Sequence, residues 1–247
     1  MSGHSKWSSI KHKKAKTDAA RGKLFTRLIR EVTVAARQGG GDPNANPRLR
    51  LAMDTARAAN MPNDNITRAI KKGTGELEGV SFDEFTYEGY GPGGVAFMID
   101  VLTDNRNRTT AEVRHALSKH GGNLGETGSV AWNFERKGVV RVEKSRCDED
   151  TLMDAALEAG AEDVQDGDEM FDVYTAPADL HGVAAAVDGK SIPYVSAGLE
   201  RVPSTTVKLE AGEARKVLRL LDALEELDDV QSVSANFDIP DEVFEED

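Results

Sequence analysis

A single cysteine, Cys147, among 247 residues leaves no internal disulfide and no cysteine cluster for zinc or iron–sulfur. No apolar run approaches the roughly eighteen residues of a spanning helix, since the stretch from Val95 to Ile99 stops at Asp100. The first thirty residues are basic and lack an apolar block of about seven or more, so no secretory signal is expected there. A cytoplasmic protein with no membrane partner is the expectation.

The usual signatures of catalysis are missing as well. There is no G-x-x-x-x-G-K-[ST] loop for a nucleoside triphosphate and no G-x-S-x-G elbow for a nucleophilic serine. Gly89, Gly91 and Gly94 satisfy G-x-G-x-x-G literally. They fall between two strand patterns and enclose Pro92, whereas pyrophosphate binding needs a strand followed by a helix N-terminus. A hairpin connection explains them. His115 and His120 are five apart, off a common helical face, and His4 and His12 sit among lysines that repel a metal cation. Cys147 adjoins Asp148 and Glu149, which raise a thiol's pKa and dampen its reactivity. No enzyme, cofactor, metal or small-molecule substrate is expected.

Basic residues are scarce overall, 31 Lys and Arg against 43 Asp and Glu, for a net charge of −12. They are also unevenly placed. Residues 1–72 carry 16 basic and 5 acidic side chains, net +11, and the other 175 carry 15 and 38, net −23. Clustered cations in an otherwise acidic chain are the footprint of a polyanion partner. An anionic membrane fits less well, because the basic stretch has no aromatic-rich apolar face.

The opening of the chain has no apolar periodicity and reads as an arm that orders on binding. Lys6, Lys11, Lys13, Lys14, Lys16, Arg21 and Lys23 are seven cations within eighteen residues, with Trp7 and His12 between them. Lysines can track a phosphate backbone while an aromatic ring stacks on bases. Trp7 can equally anchor the arm to the bundle that follows.

From Arg21 the pattern becomes helical. Leu24, Phe25, Leu28, Ile29, Val32 and Ala36 share one face up to Gly39, with Lys23, Arg27 and Arg30 opposite and expected to extend the basic surface. Asn46 before Pro47 is a helix start, and Met61-Pro62 opens a third helix that ends at Gly73. Three short helices with one apolar stripe each must bury those stripes together.

Beyond the GTGELEG linker, strand patterns at Phe82 to Tyr87 and Val95 to Leu102 flank GYGPGG. Thr109 with Glu112 forms a capping box for a helix that ends at Gly121. Val130, Trp132 and Phe134 alternate as a strand, and ERKG turns into Val139 to Val142. Residues 138–200 then read β-α-β-β-α-β, the ferredoxin-like order. A late helix and the strand from Val230 to Phe237 complete a second α/β unit into which the first is inserted.

The expected fold class is α+β, an N-terminal helical bundle followed by two ferredoxin-like α/β domains, one inserted into the other. Residues 1–79 form the arm and three-helix domain. Residues 80–136 with 201–247 form the discontinuous first α/β domain, and residues 137–200 the inserted one. The DNRNRT stretch places Asn105, Arg106, Asn107, Arg108 and Arg114 at and beyond a helix start in the acidic part. Such a loop suits phosphate or base contacts, or it is an ordinary cap with surface arginines.

The chain resembles the YebC/PmpR family. GHSKW with its Lys-rich run, RGKLFTRLIREV, GGGDPNANPRLR, MPNDNITRAIKKG, YEGYGPGG, DNRNRT, GGNLGETGSVAW, ALEAGAEDV and VPSTTV carry the likeness over nearly the whole length. The resemblance implies a non-enzymatic regulator of gene expression, usually described as a DNA-binding transcriptional regulator. It also implies an alternative, because the family includes mitochondrial translational activators and members linked to ribosomes stalled on proline-rich sequences. The expected partner is therefore nucleic acid, either DNA or rRNA and tRNA on the ribosome, with a protein partner possible on the acidic α/β part.

Overall fold

The computed structural model describes residues 18–167, 169–239 and 243. The arm residues Lys6, Trp7, Lys11, His12, Lys13, Lys14 and Lys16 lie outside them.

Three helices come first: α1 (Asp18–Gly39), α2 (Pro47–Ala58) and α3 (Asn63–Gly73). Asn46 caps α2 as its sequence suggests, its side-chain oxygen accepting from Leu49 N at 3.0 Å. The amide of the same side chain donates to Ala35 O and Gly40 O at 2.8 and 2.9 Å, which ties α2 to the end of α1. Leu28, Val32, Ala35, Leu49, Met53, Ile66 and Ala69 fill the core of this bundle. Gly73 is required by close approach, since a Cβ there would stand 2.4 Å from Thr33 O on α1.

The chain divides into two compact units. One holds residues 14–130 with 212–233, the other 131–211 with 234 onward. In the first, the bundle is joined by β1 (Asp83–Tyr90), β2 (Ala96–Thr103), α4 (Arg106–Lys119) and β3 (Asn123–Leu124). The sheet order is β3-β1-β2-β9, where β9 (Val230–Ala235) arrives after the late helix. β1 and β2 are an antiparallel hairpin turning through Pro92–Gly94, with Gly93 and Gly94 at φ 70° and 75°. GYGPGG is a strand-to-strand connection, as its sequence context indicates.

Two readings of this segment are corrected. The helix begins three residues before the Thr109 capping box, with Asn105 as the cap accepting from Arg108 N at 3.1 Å. Thr109 is buried within the helix, its hydroxyl turned to Asn105 O and Thr103. Val130 to Phe134 is not an alternating strand either. Ala131–Asn133 is a 3₁₀ turn, which leaves Trp132 75% exposed while Val130 is buried.

The second unit contains β4 (Phe134–Glu143), α5 (Glu149–Glu158), β5 (Asp163–Asp166), β6 (Met170–Thr175), α6 (Leu180–Gly189) and β7 (Ser196–Pro203). Its sheet order, β5-β6-β4-β7, is antiparallel throughout and is the ferredoxin-like arrangement. ERKG does not turn: β4 runs through it in register with β7 from Phe134↔Pro203 to Arg141↔Ser196. Gly138 permits that passage, because a Cβ would lie 2.2 Å from Thr175 Oγ1 and 2.8 Å from Leu180 Cβ. The short parallel pair β8 (Val207–Lys208) and β10 (Phe237–Asp238) follows. The late helix α7 (Ala211–Glu225) lies mostly in the first unit, where Leu220 meets Phe97 beside Gly91. The two units differ in chain order, since the first runs β-β-α-β-α-β and only the second runs β-α-β-β-α-β.

Alternation along β4 places Gly138, Val140 and Val142 toward α6 and Arg141 on the other face. Arg141 is 3% exposed and pairs with Asp172 on β6 at 3.2 Å and Glu200 on β7 at 2.5 Å. A second nitrogen of its guanidinium meets the other Glu200 oxygen at 2.8 Å. Burial opposes the charge on Arg141, and the two carboxylates overcome it, holding the guanidinium above its usual range.

Candidate nucleic-acid interface

Arg21 is exposed at the start of α1, its guanidinium 5.4 Å from the centroid of Phe25. The next three cations are placed otherwise than their helical positions suggest. Lys23 donates to Glu226 O at 3.1 Å, Arg27 to Glu225 O, and Arg30 to Asp228 O at 2.5 Å. Arg27 and Arg30 are half-buried against the end of α7 and the turn after it, whereas Lys23 reaches that turn and stays exposed. The physical reason is that the last carbonyls of a helix have no intrahelical donors and carry partial negative charge. α1 therefore has two occupied sides, an apolar one in the bundle and a cationic one on α7. Burial lowers the pKa of Arg27, and Glu225 and Asp228 only partly restore it.

Arg30 continues to Asp229, at the turn before β9, with 2.9 Å between its nitrogen and Oδ1. The Asp229 side chain is 2% exposed. Its Oδ2 accepts from Arg108 at 2.7 Å, Thr109 at 2.7 Å and Thr103 at 2.8 Å. Burial would raise this carboxyl, but the Arg108, Thr109 and Thr103 hydrogen bonds and the charge of Arg30 hold it below the usual range. Its contribution to stability is thus present above its unfolded-state pKa of about 3.9 and is lost as pH falls through the lower folded value.

The DNRNRT residues divide into two sets. Asn105 is the cap, Arg106 lies 4.8 Å from the Phe85 ring centroid, and Arg108 is shared between Asp229 and Asp104 at 2.9 Å. The hydrogen bonds that Arg108 donates to Asp229 and Asp104 raise it above its ordinary range. Asn107 and Arg114 are exposed on α4. The segment is thus largely a structural cap that leaves an outer polar face.

Sequence reasoning passed over α3. Ile66, Ala69 and Gly73 are buried on one side, and Arg68, Lys71 and Lys72 are exposed on the other, with Asp64 as the one acid of the helix. The signal was in the amphipathic pattern: three cations and one anion on the polar side of an eleven-residue helix. It also passed over Arg48, which its two carboxylate partners bridge from α1 to β1. Arg48 meets Glu31 at 2.7 Å and Glu84 at 2.8 Å.

Among the described residues, no group of three or more His, Cys, Asp and Glu side chains could hold a metal ion, and no helix is long and apolar enough to cross a membrane. The site consists of cations, amides and a few hydroxyls. Cations and amides are the groups that protein–nucleic-acid interfaces turn toward phosphate and sugar.

Residues 5–76 match the TACO1/YebC protein N-terminal domain, and residues 82–237 match the TACO1/YebC second and third domain. A "Probable transcriptional regulatory protein" of Pelotomaculum thermopropionicum is 58% identical over 98% of this chain and 100% of its own length. One of Desulfosudis oleivorans is 57% identical over 99% of this chain and 100% of its own. The crystal structure of a conserved hypothetical protein from Aquifex aeolicus superposes with a TM-score of 0.86 at 54% identity, covering 93% of this chain and 95% of that one. With both parts of the family matched in order along a single chain, this protein belongs to the TACO1/YebC family.

Proposed function

We propose that this chain is a non-enzymatic regulator of gene expression that binds nucleic acid, with duplex DNA as the ligand, in the cytoplasm. The observation that carries the reading is the charge partition of +11 over residues 1–72 against −23 over the rest. The names of its relatives as transcriptional regulatory proteins support the regulatory role. In this reading Lys6, Lys11, Lys13, Lys14 and Lys16 take phosphates, with Trp7 and His12 against the bases or sugars. Arg21, Arg68, Lys71, Lys72, Asn107 and Arg114 are exposed and add contacts from the folded part. Arg27 and Arg30, half-buried on protein oxygens, support the fold, while Lys23 and Arg108 meet protein oxygens and stay exposed at the edge of the interface.

One observation favours a second reading, rRNA or tRNA on the ribosome. The polar side of α3 carries three cations, Arg68, Lys71 and Lys72, beside two amides, Asn63 and Asn65, a balance that suits phosphate more than base edges in a major groove. Neither reading gives the chain a catalytic step.

The test is an anisotropy titration of the full chain against a labelled duplex as salt rises from 50 to 200 mM. Neutralising roughly 5–7 phosphates predicts a log–log slope of about −4 to −6 on B-DNA. A slope near zero would contradict an electrostatic arm.

A further inference from the structure

We propose that Asp229 is the positioning residue that fixes the helical bundle against its neighbouring sheet layer, and so sets the orientation in which the bundle's cations are offered. The second clause rests on the nucleic-acid reading; the first does not. The bundle core is drawn from bundle residues alone, and Val34 of α1, 3% exposed, is buried outside it. The junction with the sheet layer carries a set of polar ties: Arg30 on Asp229, Arg27 on the last carbonyl of α7, Lys23 on Glu226 O just past it, and Arg48 on Glu84.

Asp229 is the most buried acceptor of that junction and the one that joins three elements. Its Oδ1 takes Arg30 from α1, and its Oδ2 takes Thr103 from β2 and both Thr109 and Arg108 from α4. Four donors on two oxygens require an ionised carboxylate, since an amide in its place would turn an NH₂ toward donors. A carboxylate held from three sides in this way fixes an angle, which scattered surface ion pairs do not. Leu102 N also donates to Asp229 O at 2.9 Å, so the residue is fixed to β2 through its backbone as well.

The experiment uses the full chain with Cys147→Ser and spin labels at Ala58→Cys on α2 and Lys119→Cys on α4, both exposed positions within the first unit. A single narrow distance distribution is expected with Asp229 and Arg30 intact. Arg30→Met cuts the bundle side and leaves the other three donors on Asp229, so it is expected to broaden the distribution at unchanged helix content. Asp229→Asn is expected to do the same, and Arg30→Lys to restore a narrow distribution. Affinity for a 20-base-pair duplex is expected to fall about tenfold in Arg30→Met, because arm and bundle cations no longer add on one surface.

A narrow distribution retained in Arg30→Met and Asp229→Asn would overturn the proposal. So would loss of helix content in Arg30→Met, which would assign Arg30 to the folding of α1 itself. Absence of duplex binding by the full chain would defeat the functional reading and leave the distance result to stand on its own.

Discussion

Removal of residues 1–17 is expected to weaken duplex binding on the order of 10³-fold at physiological salt while leaving the thermal transition in place. Five lysines go with that segment: Lys6, Lys11, Lys13, Lys14 and Lys16. Each phosphate contact contributes about 0.9 to the log–log salt slope, so the truncated chain should lose about 4 to 5 from it. The fold should tolerate the cut. α1 starts at Asp18, and the apolar packing of the bundle begins at Phe25. Anisotropy titration and a melting curve on the same preparation measure both effects. Undiminished affinity would take the arm out of the interface, and a lost transition would make it part of the fold.

The second large effect is expected at Arg141. Its side chain is 3% exposed between Asp172 and Glu200, and Arg141→Ala removes the guanidinium that pairs with both carboxylates. Breaking a buried pair by removing one partner costs about 3–5 kcal/mol. Urea unfolding of Arg141→Ala should therefore show a midpoint lowered well beyond that of a surface control such as Arg57→Ala. Arg57 meets Asp54 at 3.1 Å with both side chains about half exposed, where such a pair is worth roughly 0–1 kcal/mol. Equal midpoints would mean that solvent compensates Asp172 and Glu200 in place of Arg141. Duplex affinity of the folded variant should be unchanged, because Arg141 lies outside the proposed interface.

The elements were legible where local chemistry decides them. Asn46 followed by Pro47 makes a helix start that needs no tertiary help, and the stripe from Leu28 to Ala36 finds its partners on α2 and α3. The ferredoxin-like order of residues 138–200 followed from strand and helix periods alone.

What sequence could not supply was the use of charged groups. Arg27 and Arg30 look solvent-facing on a wheel drawn for one buried side, and only the arrival of α7 some two hundred residues later gives α1 a second. Asp229 belongs to the run LDDV, which reads as acidic surface until four donors close on it. The start of α4 was misjudged for a related reason. Asn105 and Thr109 both carry capping chemistry, and the burial of Thr109 against Thr103 and Asp229 decides for Asn105. Arg141 reads as the polar member of an alternating strand, and its carboxylates come from β6 and β7. The cations of α3 were visible throughout, on an amphipathic helix overlooked beside the denser arm.

A competition at physiological salt bears most directly on the proposed function. Labelled full-length protein is offered purified ribosomes together with excess duplex DNA, with the chain lacking residues 1–17 as control. A DNA-binding regulator is expected to transfer to the duplex, preferring particular fragments, and to lose that transfer with the arm. Retention on ribosomes against excess duplex, lost with the arm, would contradict duplex DNA as the ligand and make the chain a translation factor.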